Sequence, residues 1–271
     1  MNEPQHAPDN VIRFDGVHKA FGRQVVFKGL SLDIRRGEII ALIGGSGCGK
    51  SVLLKLILGL LRCDTGSVLV DDEDISRYNE RQLLPIRRKV GMVFQNGALF
   101  DSLNVFDNIA YPLRERAVSS PATIKARVAE CLEMIGLPGI EQKMPAELSG
   151  GMRKRVSLAR AVAEVPQVVL YDEPTTGLDP VNVRRISELI SELRDKLDTT
   201  SIVVTHDLAS AYMVSDRMAM IADGGVVAVD DTRSFRNSSN KTVYEFLNAM
   251  QGRSRSDHKA LAGSPKDQER R

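Results

Sequence analysis

Cysteine is scarce: the chain has three in 271 residues, Cys48, Cys63 and Cys131. An odd, widely spaced set makes neither a disulfide framework nor a zinc pattern, so a reducing compartment is the simpler expectation. Net charge is nearly absent as well. Lys and Arg number 37 against 35 Asp and Glu, leaving +2, and no global field draws the chain to nucleic acid or anionic lipid. Long apolar runs are missing. The greasiest stretch, residues 52–61, is broken by Lys55 and Gly59 and falls far short of the roughly 20 apolar residues that span a bilayer. The segment 1–10 is polar, carries Pro4 and Pro8, and lacks the charged start and apolar stretch of a secretory signal. The expectation is a cytosolic chain whose membrane role comes through a partner. There is no internal repeat and no coiled-coil insertion. What remains is ordinary globular composition, 42% hydrophobic, enough for a sizeable core.

Short β-type runs alternate with helical ones, which predicts an α/β core with a largely parallel sheet. Candidate strands fall at 11–14, 38–43, 90–94, 168–171 and 201–205. Leu30, Leu32 and Ile34 alternate with polar neighbours, as a half-buried strand would. Several strands end at a residue that carries chemistry: Gly44, Gln95, Asp172 and His206. Ligands bind outside the carboxyl ends of strands in such sheets. From about 104 to 163 the alternation breaks. Ile124, Val128, Cys131, Leu132 and Ile135 recur at helical spacing, which predicts an inserted helical subdomain with Cys131 as core. Residues 242–250 predict a short helix using Val243, Phe246, Leu247 and Met250. The polar tail 251–271 cannot bury enough surface to offset its ordering entropy and is expected to be disordered.

The strongest motif is Gly44-Gly45-Ser46-Gly47-Cys48-Gly49-Lys50-Ser51. Its spacing is that of a phosphate-cradling P-loop. Glycines let backbone N–H groups approach phosphate oxygens. Lys50 offers a positive charge to the β and γ phosphates, and Ser51 a hydroxyl to Mg²⁺. The run 52–61 supplies a helix whose N-terminus favours anions. About 120 residues on, four hydrophobic residues lead into Asp172-Glu173. Such a strand delivers two carboxylates to the same face: Asp172 to hold Mg²⁺ through water, Glu173 to polarise an attacking water. Leu148-Ser149-Gly150-Gly151 precedes a helical run at 152–163. Ser149 there is a helix N-cap, and the glycines leave a small anion site beside it.

Over residues 10 to 235 these motifs, in this order, resemble the nucleotide-binding subunit of an ABC transporter. The resemblance implies a P-loop NTPase (RecA-like) α/β core with an inserted helical subdomain and an antiparallel β-subdomain. It implies an ABC ATPase domain over 11–235 and a short C-terminal helix within 236–250. It implies ATP and Mg²⁺ as cofactors and a homodimer, with two ATP molecules sandwiched between the P-loop of one protomer and Ser149, Gly150 and Gly151 of the other. Phe21 resembles the aromatic residue that stacks on adenine. Gln95 resembles the glutamine that touches Mg²⁺ and faces the membrane partner. Asp179, within Gly177-Leu178-Asp179, resembles the D-loop aspartate that signals across the dimer. His206 resembles the switch histidine that senses the γ-phosphate. One departure is Met152, where the family usually has glutamine; the backbone donors of Ser149 to Gly151 do not require it.

Residues 97–115, together with Met152, resemble the ATPase of Mla-type, Mce-associated lipid transport systems. That narrower resemblance implies a permease subunit, an Mce-domain lipid-binding protein, a STAS-domain protein, phospholipid as cargo, and a place on the cytoplasmic face of the inner membrane held through the permease. Leu99, Phe100, Val105 and Phe106 are candidates for the apolar seat of a permease helix, and also for packing the helical subdomain. Two alternatives stand beside it. One is an ABC ATPase for a small solute such as an amino acid. The other is a soluble ABC ATPase acting on nucleic acid, which the balanced charge disfavours; the cluster Arg153-Lys154-Arg155 is too short to argue for it, so no nucleic-acid partner is expected.

Overall fold

Runs without a polar break give strands buried on both faces. Ile39–Ile43 (β3 below) buries all five side chains, and it lies in the middle of the larger of two sheets. The computed structural model describes residues 9–115 and 120–250. Most of the segment 1–10 and the whole tail 251–271 therefore lie outside the described residues.

In chain order, β1 (Asn10–Phe21), β2 (Gln24–Arg35) and β3 (Ile39–Ile43) lead to α1 (Lys50–Ile57). Then come β4 (Thr65–Val70), β5 (Glu73–Asp74), α2 (Glu80–Arg88) and β6 (Val90–Val93). Three helices follow, α3 (Val105–Glu115), α4 (Pro121–Met134) and α5 (Gly150–Val162). The chain returns through β7 (Val168–Asp172), α6 (Pro180–Leu197), β8 (Thr200–Val204), α7 (Leu208–Val214), β9 (Arg217–Ala222) and β10 (Gly225–Asp231). It ends, among the described residues, with α8 (Thr232–Arg236) and α9 (Lys241–Met250).

The larger sheet has the order β10-β9-β3-β8-β7-β6. All its pairings are parallel except β10 with β9. The carboxyl ends of β3, β6, β7 and β8 therefore share one edge, where the crevice of such a sheet binds ligands. The smaller sheet, β2-β1-β4-β5, is antiparallel. The expected strand at 11–14 and the alternation of Leu30, Leu32 and Ile34 belong here, with Phe14 opposite Leu32 and Ile12 opposite Ile34. β4, β5, β9 and β10 are not among the expected strands. β4 opens on Thr65-Gly66, and β10 is only half-buried, so neither carries a clean apolar period.

The α1 helix differs from expectation. It stops at Ile57 instead of running through to 61. Gly59 adopts φ 61°, and the N–H groups of Leu60 and Leu61 both turn back to the carbonyl of Lys55. That is a left-handed helix stop, for which glycine carries no Cβ penalty. On the far side of the sheet, α3, α4 and α5 share one core with β7 and α6. Cys131 is fully buried in it, and burial pushes its thiol up to about 11, so it is packing and not chemistry. Asn108, also fully buried, uses its amide to hold the loop before α3. It accepts from the N–H of Phe100 at 2.8 Å and donates to the carbonyls of Phe100, Leu103 and Asn104 at 3.1, 2.9 and 3.0 Å. Among the described residues no helix is long and apolar enough to cross a membrane.

Candidate functional site

The loop after β3 is built around Gly49. It has φ 105° and caps α1 without a side-chain hydrogen bond, so the first N–H groups of the helix face the loop and form an anion site. A Cβ at this position would come within 2.6 Å of Val26 Cγ1 and 2.7 Å of Phe27 Cε1. Only glycine fits. The Lys50 ammonium donates to the carbonyls of Gly44 at 2.8 Å and Gly45 at 3.1 Å, which holds the charge across the loop. Cys48 Sγ lies 3.8 Å from it.

β7 and β8 bring the acidic groups to the same edge. Ser51 Oγ donates to Asp172 Oδ1 at 3.0 Å. Burial raises the Asp172 carboxyl above its ordinary range, and the bond from Ser51 opposes the shift. Glu173 sits at φ 52°, a left-handed conformation that costs a non-glycine residue about 1–2 kcal/mol. Its N–H donates to the Val204 carbonyl at 2.9 Å. Its Oε2 accepts from Thr176 Oγ1 at 2.7 Å, and His206 Nδ1 lies 2.6 Å from the same oxygen. The switch-histidine position thus meets the expected base directly.

Lys50, Ser51, Gln95, Asp172, Glu173 and His206 line one cleft of about 700 Å³, with Phe21 at its rim. Phe21 is 46% exposed, and the Lys19 ammonium stands 5.3 Å from the centre of its ring. Serine hydroxyl, carboxylate and amide oxygens are the hard donors that suit Mg²⁺. Two residues of α9 also line this cleft, Phe246 and Met250, while Val243 and Leu247 of the same helix are buried beneath. The sequence periodicity gave all four one role; the structure gives them two.

Ser149, Gly150 and Gly151 do not line the cleft of their own chain. Ser149 caps α5, accepting from the Met152 N–H at 3.3 Å, so α5 starts at Gly150, two residues before the expected 152. A Cβ on Gly151 would come within 2.6 Å of Asn182 Oδ1. Asn182 is itself held by Asp179, which caps α6 through the N–H groups of Val181 and Asn182 at 3.0 Å each. Asn182 and Thr176 were missed in the sequence because neither sits in a motif; only their offsets of three from Asp179 and Glu173 hint at them.

A second concavity, about 380 Å³, is lined by Phe94, Phe100, Tyr111, Pro112 and Arg160. Phe100 and Tyr111 are each 42% exposed, with ring centroids 4.8 Å apart. The candidates for the apolar seat divide here. Val105 is fully buried, and Leu99 and Phe106 pack against the helical core. Of the four residues only Phe100 lines the groove, because Asn108 pins the loop and turns its neighbours inward.

Residues 27–176 match the ABC transporter family. The "Probable ribonucleotide transport ATP-binding protein mkl" of Mycobacterium leprae is 43% identical over 237 residues, covering 88% of this chain and 68% of that protein. The "Intermembrane phospholipid transport system ATP-binding protein MlaF" of Haemophilus influenzae is 40% identical over 238 residues, 88% of this chain and 90% of that protein. Among solved structures, the dimeric post-hydrolysis ATP-binding cassette MJ0796 bound to ADP and Pi is 33% identical, with a TM-score of 0.75, covering 82% of this chain and 99% of that one. With a P-loop, a paired strand-end carboxylate and this likeness along most of its length, the chain belongs to the ABC transporter family and is an ATPase.

Proposed function

We propose that this chain drives phospholipid transport, as a homodimeric ATPase docked under a membrane permease of an Mce-type system. The observation that carries the reading is the likeness to MlaF along 90% of that protein. The ABC ATPase domain is taken as 11–235 and its helical subdomain as about 104–163. Partners of the assembled system are a permease, an Mce-domain protein and a STAS-domain protein, at the cytoplasmic face of the inner membrane.

In the chemical step Glu173 accepts the proton of the attacking water as its oxygen bonds to the γ-phosphorus and the bond to the ADP oxygen breaks. His206, 2.6 Å away, orients that carboxylate. Lys50 and the α1 N-terminus bind the phosphates. Ser51, Asp172 and Gln95 would hold Mg²⁺, which would supply positive charge to neutralise the phosphates.

Isolation of the native complex from membranes tests the reading. Recovery of a permease with an Mce-domain protein is the expected result. The Mycobacterium leprae relative is named for ribonucleotide transport, so recovery of a small-solute permease without an Mce component would favour a solute carrier and leave the ATPase standing.

Docking is expected to use the aromatic groove. Phe100→Asp with Tyr111→Asp removes two exposed rings, and paired interface aromatics commonly contribute about 2 kcal/mol or more each. The permease should be lost on co-purification while ATP affinity stays within about twofold, since neither ring lines the nucleotide cleft. Retention of the permease by this double variant would relocate the interface.

The active site is proposed to be shared between protomers. Ser149→Arg, at an exposed helix start, should place a bulky cation in the partner's phosphate site. Hydrolysis should fall at least about tenfold, with nucleotide binding to the single chain unchanged. Mixing this chain with Lys50→Ala makes heterodimers with one site damaged twice and one intact, so activity should return. Full turnover independent of protein concentration would refute the shared site.

A further inference from the structure

Of the basic cluster after the signature, Arg153 is exposed, Arg155 half-buried and Lys154 buried. Arg153 donates to the Leu148 carbonyl at 2.7 Å and Arg155 to the Ile135 carbonyl at 3.2 Å. Between them Lys154 is buried, 7% exposed. Glu38, the other buried charge among the described residues, pairs with Arg217 at 2.9 Å. Lys154 has no such carboxylate within ion-pair distance among the described residues. Its ammonium donates to two main-chain carbonyls, those of Gln95 and of Glu173, the latter at 3.4 Å.

Two further side chains of α5 reach the same loop. Ser157 Oγ donates to the Gly97 carbonyl at 2.8 Å, and Arg160 donates to the carbonyls of Gly97 at 3.1 Å and Ala98 at 2.8 Å. Positions 154, 157 and 160 lie along one helix face. The loop carrying Gln95 is therefore fastened at three points to the helix that begins with Ser149. Only one of the three, Lys154, also touches the strand end that carries Glu173.

We propose that Lys154 is a positioning residue that joins the Gln95 loop to the Glu173 backbone, so that the signature helix sets where the catalytic carboxylate stands. This rests on the reading of Glu173 as the base. A buried cation is costly unless its hydrogen bonds are satisfied, so the two carbonyls are held toward the ammonium as much as it is held toward them. Burial lowers the Lys154 pKa, and the nearby Glu173 charge works the other way; the tether itself rests on the two carbonyl contacts. The left-handed backbone at Glu173, φ 52°, is the part of the chain that such a tether would hold.

The test is steady-state ATPase kinetics on the assembled complex, with ATP affinity and thermal midpoint measured on the same preparations. Lys154→Met removes the charge at similar length; Lys154→Gln keeps an N–H donor and serves if the first variant folds poorly. The expected result is kcat lower by about tenfold or more with KM and Kd for ATP within about threefold, the pattern of a lost transition-state placement. Lys154→Arg keeps a cationic donor and should recover at least about a third of wild-type kcat. The proposal is overturned if the Met and Gln variants stay within about threefold of wild-type kcat, or if kcat and ATP affinity fall together in the same proportion. Glu173→Gln runs in parallel. If it hydrolyses ATP normally, the base assignment fails; if it is arrested while the Lys154 variants are active, that assignment stands and the coupling role falls.

Discussion

Glu173→Gln is expected to stop hydrolysis and leave ATP bound. The amide has the shape of the carboxylate, and its oxygen still accepts from Thr176, which now holds Glu173 Oε2 at 2.7 Å. What it cannot do is take a proton from water. Loss of a general base costs about a hundredfold to ten-thousandfold in rate. ATP affinity should change little, because on the proposed mechanism Glu173 meets the attacking water, while Lys50 and the α1 N-terminus hold the phosphates. Without the chemical step, ATP-filled dimers should accumulate on size-exclusion chromatography with MgATP. Hydrolysis at the wild-type rate in the assembled complex would show that another group is the base.

Lys50→Ala acts one stage earlier. Among the described residues that line the cleft, Lys50 is the one Lys or Arg, its ammonium held by the Gly44 and Gly45 carbonyls. A hydrogen bond to a charged group contributes about 1.5–3 kcal/mol, so its loss should weaken ATP binding by about ten- to a hundredfold. Hydrolysis should vanish as well, since the same charge neutralises phosphate oxygens in the transition state. Binding measured by titration calorimetry and turnover by phosphate release check the two halves separately. Wild-type ATP affinity in this variant would mean that the loop backbone alone carries the phosphates.

The phosphate loop was legible in the sequence because its chemistry demands fixed spacing: glycine where a Cβ would strike Phe27, then Lys50 and Ser51. Asp172 and Glu173 were legible because an unbroken apolar strand has to end before charge begins. Phe21 and His206 were legible only through their order around those motifs. Lys154 was not. A lysine next to two arginines reads as a solvated patch, and only tertiary packing turns its ammonium toward carbonyls of other segments. The groove was half legible: the aromatic and aliphatic residues at 99–106 were visible, but which of them face outward depends on Asn108, whose buried amide follows no period. The stop of α1 at Ile57 was written in Gly59, which the apolar run on both sides disguised.

The contact between Gly151 and Asn182 has a consequence for how the two halves of a dimer would time their turns. Asp179 grips Asn182, whose amide oxygen lies where a methyl group on Gly151 would stand. Packed interfaces shift between discrete arrangements instead of deforming smoothly. In the proposed dimer the start of α5 and the start of α6 would therefore move together. They act like meshed teeth: whatever displaces one edge advances the other, and a substitution at either tooth would let the two gears slip without touching a nucleotide.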